Sequence, residues 1–415
     1  MQWSKYIAAT GLRLDEPPPQ TGNYGIMRIV HVITRLILGG AQENTILTCE
    51  GLARRGHEVT LITGPPLGPE GQLLDRAVGG GYRVIVMESM RREIHPLRDR
   101  ESYRALIRHL QDLAPEVMHS HSSKAGILAR RAAVRAKVPI IVHTVHGLPY
   151  HPYAPWWLNR LYITLERQAA RQSDAIISVA DAMTLQALDA GVGQPEQYTT
   201  IYSGMETESF LCRPPGADAF RASLHLPPNA VLVTQVSRLA ELKGHEYLIE
   251  AARQVDPRIH FCLVGDGSLR EEIQAHIAEA GVGDRFHLTG LLDPADIPAV
   301  MHATDILVHC SLREGLARTL PQAMLAGKPV VSFDVDGAAE VVLDDQTGFL
   351  VPPTDIAGLI TSLTRLADDA ALRTRLGLAA RELVRERFSA ETMTGRIESL
   401  YKRLAQRTTD DDRAD

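Results

Sequence analysis

Short apolar, β-branched runs alternate with longer amphipathic stretches along almost the whole chain. From Met27 the apolar runs fall at 28–33, 59–63, 84–87, 117–121, 140–143, 175–179 and 198–201. Between them, segments 42–55, 100–113, 124–136, 157–172 and 180–190 carry apolar residues at helical spacing. Strands that alternate with helices of this length predict a parallel sheet wrapped on both faces. The pattern breaks at 202–215, where Gly204, Pro214 and Pro215 interrupt it, and then restarts. The second series predicts strands at 231–236, 260–264, 286–289, 306–309, 330–333 and 349–351, with helices at 245–255, 268–280, 293–302 and 321–326. A last run, 390–404, places Met393, Ile397, Leu400, Tyr401 and Leu404 on one helical face. The expected fold is α/β: two doubly wound, Rossmann-like domains facing across a cleft. Boundaries are expected at 27–208 and 209–388, with a final helix at 389–405, a disordered extension at 1–26 and a disordered tail at 406–415. Ligands bind such sheets at the carboxyl ends of their strands, so the cleft between the domains is the expected site.

The 415 residues, 45% hydrophobic and 23% charged, suit two domains of about 200 residues each. Net charge is −6, yet the segment 83–137 is basic, with Arg91, Arg92, Arg98, Arg100, Arg130, Arg131, Arg135 and Lys137. That suits an anionic partner such as a lipid phosphate or a membrane surface. It equally suits an ordinary solvated helix, since Arg130, Arg131 and Arg135 are spread around a helix rather than lined up. Cys49, Cys212, Cys262 and Cys310 lie in or beside apolar runs without C-x-x-C spacing, which reads as buried free thiols in a reducing compartment. No apolar run approaches the ~18 residues of a membrane-spanning helix. Residues 1–26 lack the apolar core of a signal peptide, and Met27 is a candidate start. A cytoplasmic location is expected, with the inner face of the plasma membrane as a candidate site of action.

The most informative block runs from Glu314 to Val331, E-G-L-A-R-T-L-P-Q-A-M-L-A-G-K-P-V-V. A carboxylate and a glycine precede a short helix, expected to be capped by Thr319 and to carry Pro321 in its first turn. Gly327 and Pro329 then stop it. A helix start beside a carboxylate offers an anion site next to a group that binds hydroxyls, which is what a sugar joined to a phosphate needs. Arg238 and Lys243, in V-S-R-L-A-E-L-K-G, can clamp a diphosphate or simply bridge Glu241 or Glu246. Gly39 and Gly40, in L-I-L-G-G-A-Q-E-N, let a ligand approach the backbone or form an ordinary strand-to-helix turn. They are not the G-x-G-x-x-G fingerprint, and no acidic residue ends the second strand at Ile62 and Thr63, which argues against an NAD-dependent oxidoreductase.

The 314–331 block resembles the donor-site signature of retaining glycosyltransferases of the GT-B fold, family four, the glycosyl transferases group 1. That signature is Glu, seven residues, Glu, then Ala-Met and a Gly-x-Pro-Val-Val turn. The resemblance implies metal-independent, cofactor-free transfer of a sugar from a UDP- or GDP-linked donor, with retention, to a lipid-linked, saccharide or small-molecule acceptor. It implies catalytic roles for His146, Arg238, Lys243 and Glu314. It implies donor contacts at Gly39, Gly40, Arg238, Lys243, Gly265, Glu314, Gly315, Leu316 and Gln322. It implies an N-terminal acceptor-binding domain, for which His121, Ser122 and Lys124 are candidate contacts, although loop polar groups satisfied by their own neighbours read the same way. Implied partners are a nucleotide sugar and a glycan or lipid-linked acceptor, with no nucleic acid; contact with an anionic membrane surface rests on the basic segment 83–137 instead.

Several residues admit two readings. His119, His121, His143 and His151 lie near His146 in sequence, but no carboxylate joins them at metal-ligand spacing, so no metal site is expected. Asp334 and Asp336 imitate a D-x-D metal motif and are expected to be a decoy, in a turn that continues through Gly337 to Glu340. Trp156 and Trp157 either meet a lipid or sugar ring or staple the helix they begin. Gln322 stands where the family has its second Glu, which there accepts both ribose hydroxyls. One lost charge-assisted bond costs ~1–2 kcal/mol of donor binding. On that residue alone rests the rival reading of a non-catalytic sugar-nucleotide-binding protein.

Overall fold

The computed structural model describes residues 25–67 and 71–414, with side chains to Arg407. Most of the expected 1–26 extension therefore lies outside the described residues. The first sheet has seven strands: β1 (Arg28–Arg35), β2 (Glu58–Gly64), β3 (Arg83–Val86), β4 (Val117–His121), β5 (Ile140–Val145), β6 (Ala175–Ser178) and β7 (Tyr198–Thr200). Their order is β3-β2-β1-β4-β5-β6-β7. The second sheet has β8 (Val231–Val236), β9 (Ile259–Val264), β10 (Phe286–Gly290), β11 (Ile306–His309), β12 (Val330–Phe333) and β13 (Gly348–Val351), in the order β10-β9-β8-β11-β12-β13. Every pairing is parallel. The central strands are buried along nearly their whole length because helices cover both faces, so they read as continuous apolar runs.

Strand order reverses between β1 and β4, and again between β8 and β11. The loops leaving each pair diverge and open a crevice at the strand ends. The four loops that leave these strands contain Gly39, Ser122, Lys243 and Glu314.

The helix Ala390–Ala414 returns to the first domain. Its Met393, Ile397, Leu400 and Tyr401 pack with Ile29, Ile33 and Leu61, and Glu398 accepts from Arg55 at 2.8 Å. This helix runs through the segment expected to be a disordered tail. With no Gly or Pro after Gly395, an anchored helix propagates at little cost per residue. A second apolar cluster joins the two domains: Val179, Ala180 and Met183 meet Leu316, Leu320 and Ala323.

The longest helices not read from the sequence are Ile356–Asp368 and Ala370–Val384; Asp355 and Asp369 cap them by accepting from the Gly358 and Leu372 amides. Three expectations are corrected. Cys212 is exposed, because it ends the short helix Glu208–Leu211 in the connection between the domains. Arg130 is fully buried rather than solvated, paired with Glu166 at 2.8 Å. Trp156 and Trp157 are 75% and 57% exposed, so they do not staple their helix. Among the described residues no helix is long and apolar enough to cross a membrane.

Candidate active site

The Lys243 loop is held from three sides. Gln235 donates to the Lys243 carbonyl at 2.9 Å, and the Leu312 amide donates to the Leu242 carbonyl at 2.8 Å. A Cβ on Gly244 would lie 1.9 Å from the Cys310 carbonyl, and Gly244 has φ +71°, so only glycine allows this close approach of the β8 and β11 loops. Leu242 itself has φ +63°, as Ser122 and Asp336 have +60° and +48°. Left-handed backbone in non-glycine residues at the mouth of a cleft is strain that the surrounding packing must hold in place.

That loop aims Lys243 at Glu314, and the two form an ion pair. His309 Nε2 lies 3.5 Å from the same carboxylate oxygen. Burial by itself would raise the Glu314 carboxyl, but the hydrogen bonds and charges of His309 and Lys243 outweigh it and hold the carboxyl well below the usual range. Glu314 is therefore a fixed anion. Its own amide donates to Asp336 at 2.6 Å, and Asp336 also accepts from Gln186 of the first domain at 2.9 Å. The second carboxylate of the D-x-D lookalike is thus engaged in orienting Glu314, while Asp334 is exposed. Arg238 shares the Lys243 loop; it is exposed and makes no side-chain hydrogen bond or ion pair with the described residues.

The first domain meets this block directly. A Cβ on Gly315 would lie 2.6 Å from the His146 carbonyl, so glycine here lets the two loops touch. Arg313 donates to the Leu148 carbonyl. Arg318 reaches Glu43 at 2.7 Å and the Gly40 carbonyl at 3.2 Å. Gly40 is thus at the domain junction, and Gly39 precedes the helix Gly40–Arg54 in extended backbone. Glu340, from the far side of the block, accepts from the Ala182 amide at 3.0 Å and from Tyr202 at 2.9 Å.

Other sequence-derived candidates land differently. Gly265 has φ +136°, and a Cβ there would meet the Ser237 carbonyl at 2.0 Å, so its role is to seat the loop that carries Arg238. The Leu316 side chain is buried in the interdomain cluster, which leaves only its backbone for a ligand. Gln322 lies on the helix Thr319–Leu325, partly exposed, with its side chain unpartnered among the described residues. The N-cap of that helix is Arg318, not Thr319, and no side chain caps it, while Gly327 ends it with φ +73°.

Of the acceptor candidates, Ser122 and Lys124 line a cavity of about 540 Å³ in the first domain, together with Arg35, Arg92, Ile94, Tyr162 and Leu165. Lys124 also pairs with Asp99 at 2.6 Å. His121 is completely buried behind His146, because residues two apart on a strand share a face and His119 already belongs to the interior. His146 lines a smaller cavity of about 250 Å³. Burial, followed by the charge of Arg318, lowers its imidazole to about 3, so His146 is neutral. Sequence reasoning missed His31, His309 and Arg318. Only His31 left a trace, a polar residue at the centre of an apolar strand.

Two facing doubly wound domains, with a cation–carboxylate pair at the switch point of the second sheet and a histidine loop after β5 of the first, are the arrangement of a GT-B glycosyltransferase. The family model of the glycosyl transferases group 1 matches residues 217–383, and that of the glycosyl transferase 4-like domain matches 39–204. The chain thus carries the two domains characteristic of GT-B glycosyltransferases. It is 28% identical over 381 residues to the UDP-Gal:alpha-D-GlcNAc-diphosphoundecaprenol alpha-1,3-galactosyltransferase of Escherichia coli, covering 90% of this chain and 96% of that one. It is 29% identical over 298 residues to the 2-deoxystreptamine glucosyltransferase of Streptomyces kanamyceticus, covering 69% and 76%. Anabaena HepE in complex with UDP and glucose superposes with a TM-score of 0.79 at 23% identity, covering 91% of this chain and 99% of that one.

Proposed function

We propose that this enzyme transfers a sugar from a UDP-linked donor, with retention and without a metal ion, to an acceptor with an anionic phosphate beside an apolar body. The observation that carries the donor half is the Lys243–Glu314–His309 cluster at the second switch point, packed through Gly315 against the His146 loop. Lys243 and Arg238 take the diphosphate, Glu314 accepts from hydroxyls of the transferred sugar, and Gln322 meets the ribose. As the bond from the anomeric carbon to the diphosphate breaks, negative charge grows on the leaving oxygen. The acceptor oxygen bonds to the anomeric carbon on the same face, and its proton passes to that leaving oxygen. The two cations therefore bind the transition state more strongly than the ground state. The named UDP-Gal donor of the Escherichia coli relative and the UDP complex of HepE favour uridine.

The acceptor half rests on the larger cavity. Arg35 and Arg92 offer cations beside Ile94, Tyr162 and Leu165, while Lys124 is paired with Asp99, which lines the same cavity. The segments that flank it leave Ile94, Leu97, Trp156, Trp157 and Leu161 exposed, an apolar rim that suits the head of a lipid chain. The Escherichia coli relative acts on a diphosphoundecaprenol-linked sugar, which has this chemistry. The test is proton NMR of the first-formed product with a UDP-sugar panel and a polyprenyl-diphosphate sugar, in EDTA. Retention of the donor anomer is expected. An inverted product, or activity lost in EDTA and restored by manganese, sinks the reading.

Gln322→Glu is expected to tighten UDP by about tenfold, since a carboxylate accepts from both ribose hydroxyls and regains ~1–2 kcal/mol. The gain should appear in donor KM rather than kcat, because the ribose is remote from the breaking bond. Calorimetric titration decides it: weaker binding by the Glu variant means that this position is built around an amide.

A further inference from the structure

Behind His146 lies a file of buried imidazoles that the transfer chemistry does not use. His31 on β1 and His119 on β4 are register partners, and His121 follows on the same face; all three are fully buried. His31 Nδ1 lies 2.9 Å from His121 Nε2, and His121 Nδ1 lies 3.1 Å from His146 Nε2. Ring centroids 5.3 and 5.4 Å apart, with planes 17° and 25° off parallel, set these rings end to end, as in-plane hydrogen bonds require. His119 stands beside the file, its nitrogens on Tyr401 at 2.5 Å and Thr144 at 2.7 Å. Burial lowers His31 to about 3 and holds His121 well below its ordinary value, so the file is neutral.

A neutral imidazole has one donor and one acceptor nitrogen, so the direction of one bond in a file fixes the rest. Two directions exist. If the file donates outward, His31 Nδ1–H donates to His121, His121 Nδ1–H donates to His146, and the His146 proton sits on Nδ1. If it donates inward, the proton at the far end sits on His31 Nε2. That atom is buried and has no hydrogen-bond partner. An unused lone pair there is tolerated far better than an N–H without an acceptor. Arg318, the cation facing His146, spends Nη1 on Glu43 and the Gly40 carbonyl and leaves its buried Nε without a partner among the described residues, but as a charged group tied at Nη1 it does not change the cost of an N–H at His31 Nε2. The outward direction therefore prevails.

We propose that His31 and His121 are positioning residues that lock His146 in its Nδ1–H tautomer, so that it presents a hydrogen-bond donor, not an acceptor, to an oxygen of the transferred sugar. This rests on the reading that His146 contacts the donor sugar. A metal held by His31, His119 and His121 is the competing account, since their ligand atoms lie within 4.8 Å of one another. It requires breaking one of the two bonds of His121 and also one of the two contacts of His119, to Tyr401 or to Thr144.

The experiment is a long-range proton–nitrogen correlation spectrum of full-length protein labelled with 15N-histidine, with His146→Asn assigning the His146 signals. His146 is expected as the Nδ1–H tautomer. In His121→Phe its two nitrogen shifts should move toward each other as the tautomers mix, and kcat should fall about tenfold with little change in donor KM. His121→Asn, whose amide can donate from near the Nδ1 position, should restore both. His31→Leu provides a second route from the far end of the file, with the same direction and a smaller effect. An Nε2–H His146 in the wild-type protein, or an unchanged tautomer in a folded His121→Phe or His31→Leu, overturns the proposal, as does stoichiometric zinc in the purified protein. If the tautomer is as expected but His146→Asn leaves turnover intact, it is the sugar-contact reading that fails.

Discussion

Lys243→Ala is expected to lower kcat/KM with the donor by about 10²- to 10³-fold while the protein stays folded. The loss has two parts. The first is transition-state stabilisation of the leaving diphosphate, for which one well-placed donor is worth about 3–4 kcal/mol. The second is the electrostatic support of Glu314, whose low-lying carboxyl depends on His309 and Lys243 together. Arg238→Ala is expected to cost about a hundredfold with no change in Tm, because its exposed side chain has no partner among the described residues. The two variants differ in how they couple to Glu314. In a double-mutant cycle, Lys243→Ala and Glu314→Ala should be strongly non-additive, since they share an ion pair, whereas Arg238→Ala and Glu314→Ala should be closer to additive. Steady-state kinetics on proteins checked by thermal melting decide the matter. A folded Lys243→Ala within threefold of wild-type kcat/KM removes the clamp from the mechanism.

Much of this arrangement was legible because hydrophobic period and chain punctuation agree. Each strand of both sheets lies within a few residues of an apolar run, since parallel strands buried on two faces leave an unbroken signature. The Glu314 block was legible for a different reason: its glycines, proline and carboxylate occupy fixed offsets around one short helix. What could not be read depends on contacts between distant segments. His31 and His121 are 90 positions apart, and only the β1–β4 register brings them together. Arg318 gained its place from domain closure, which no local pattern encodes. His121 was misplaced toward the acceptor although the alternation of strand faces pairs it with His119. Cys212 and Arg130 depart from their expected environments through tertiary position alone, one in the interdomain connection and one opposite Glu166.

The glycine at 315 offers a test of domain apposition independent of any charge. Gly315→Ala adds one methyl where the His146 carbonyl would lie 2.6 Å away, with Met183 Sδ at 2.9 Å and Val179 Cγ2 at 3.1 Å. Methionine can rotate aside, but a backbone carbonyl cannot without moving its loop. The His146 loop and the Glu314 block must then separate by roughly half an ångström to one ångström. Reacting groups held on two domains lose about 10²-fold in rate for a misplacement of that size. Both kcat and donor KM should worsen, since the carboxylate, the cations and the histidine no longer converge on one sugar. The cost in stability should be smaller, about 1–3 kcal/mol, as expected of overpacking at one contact. Gly283→Ala is the control: no heavy atom lies within 4 Å of its added carbon, so its kinetics should match wild type. If Gly315→Ala turns over at the same rate as Gly283→Ala, the close contact between these two loops is not what aligns the reacting groups.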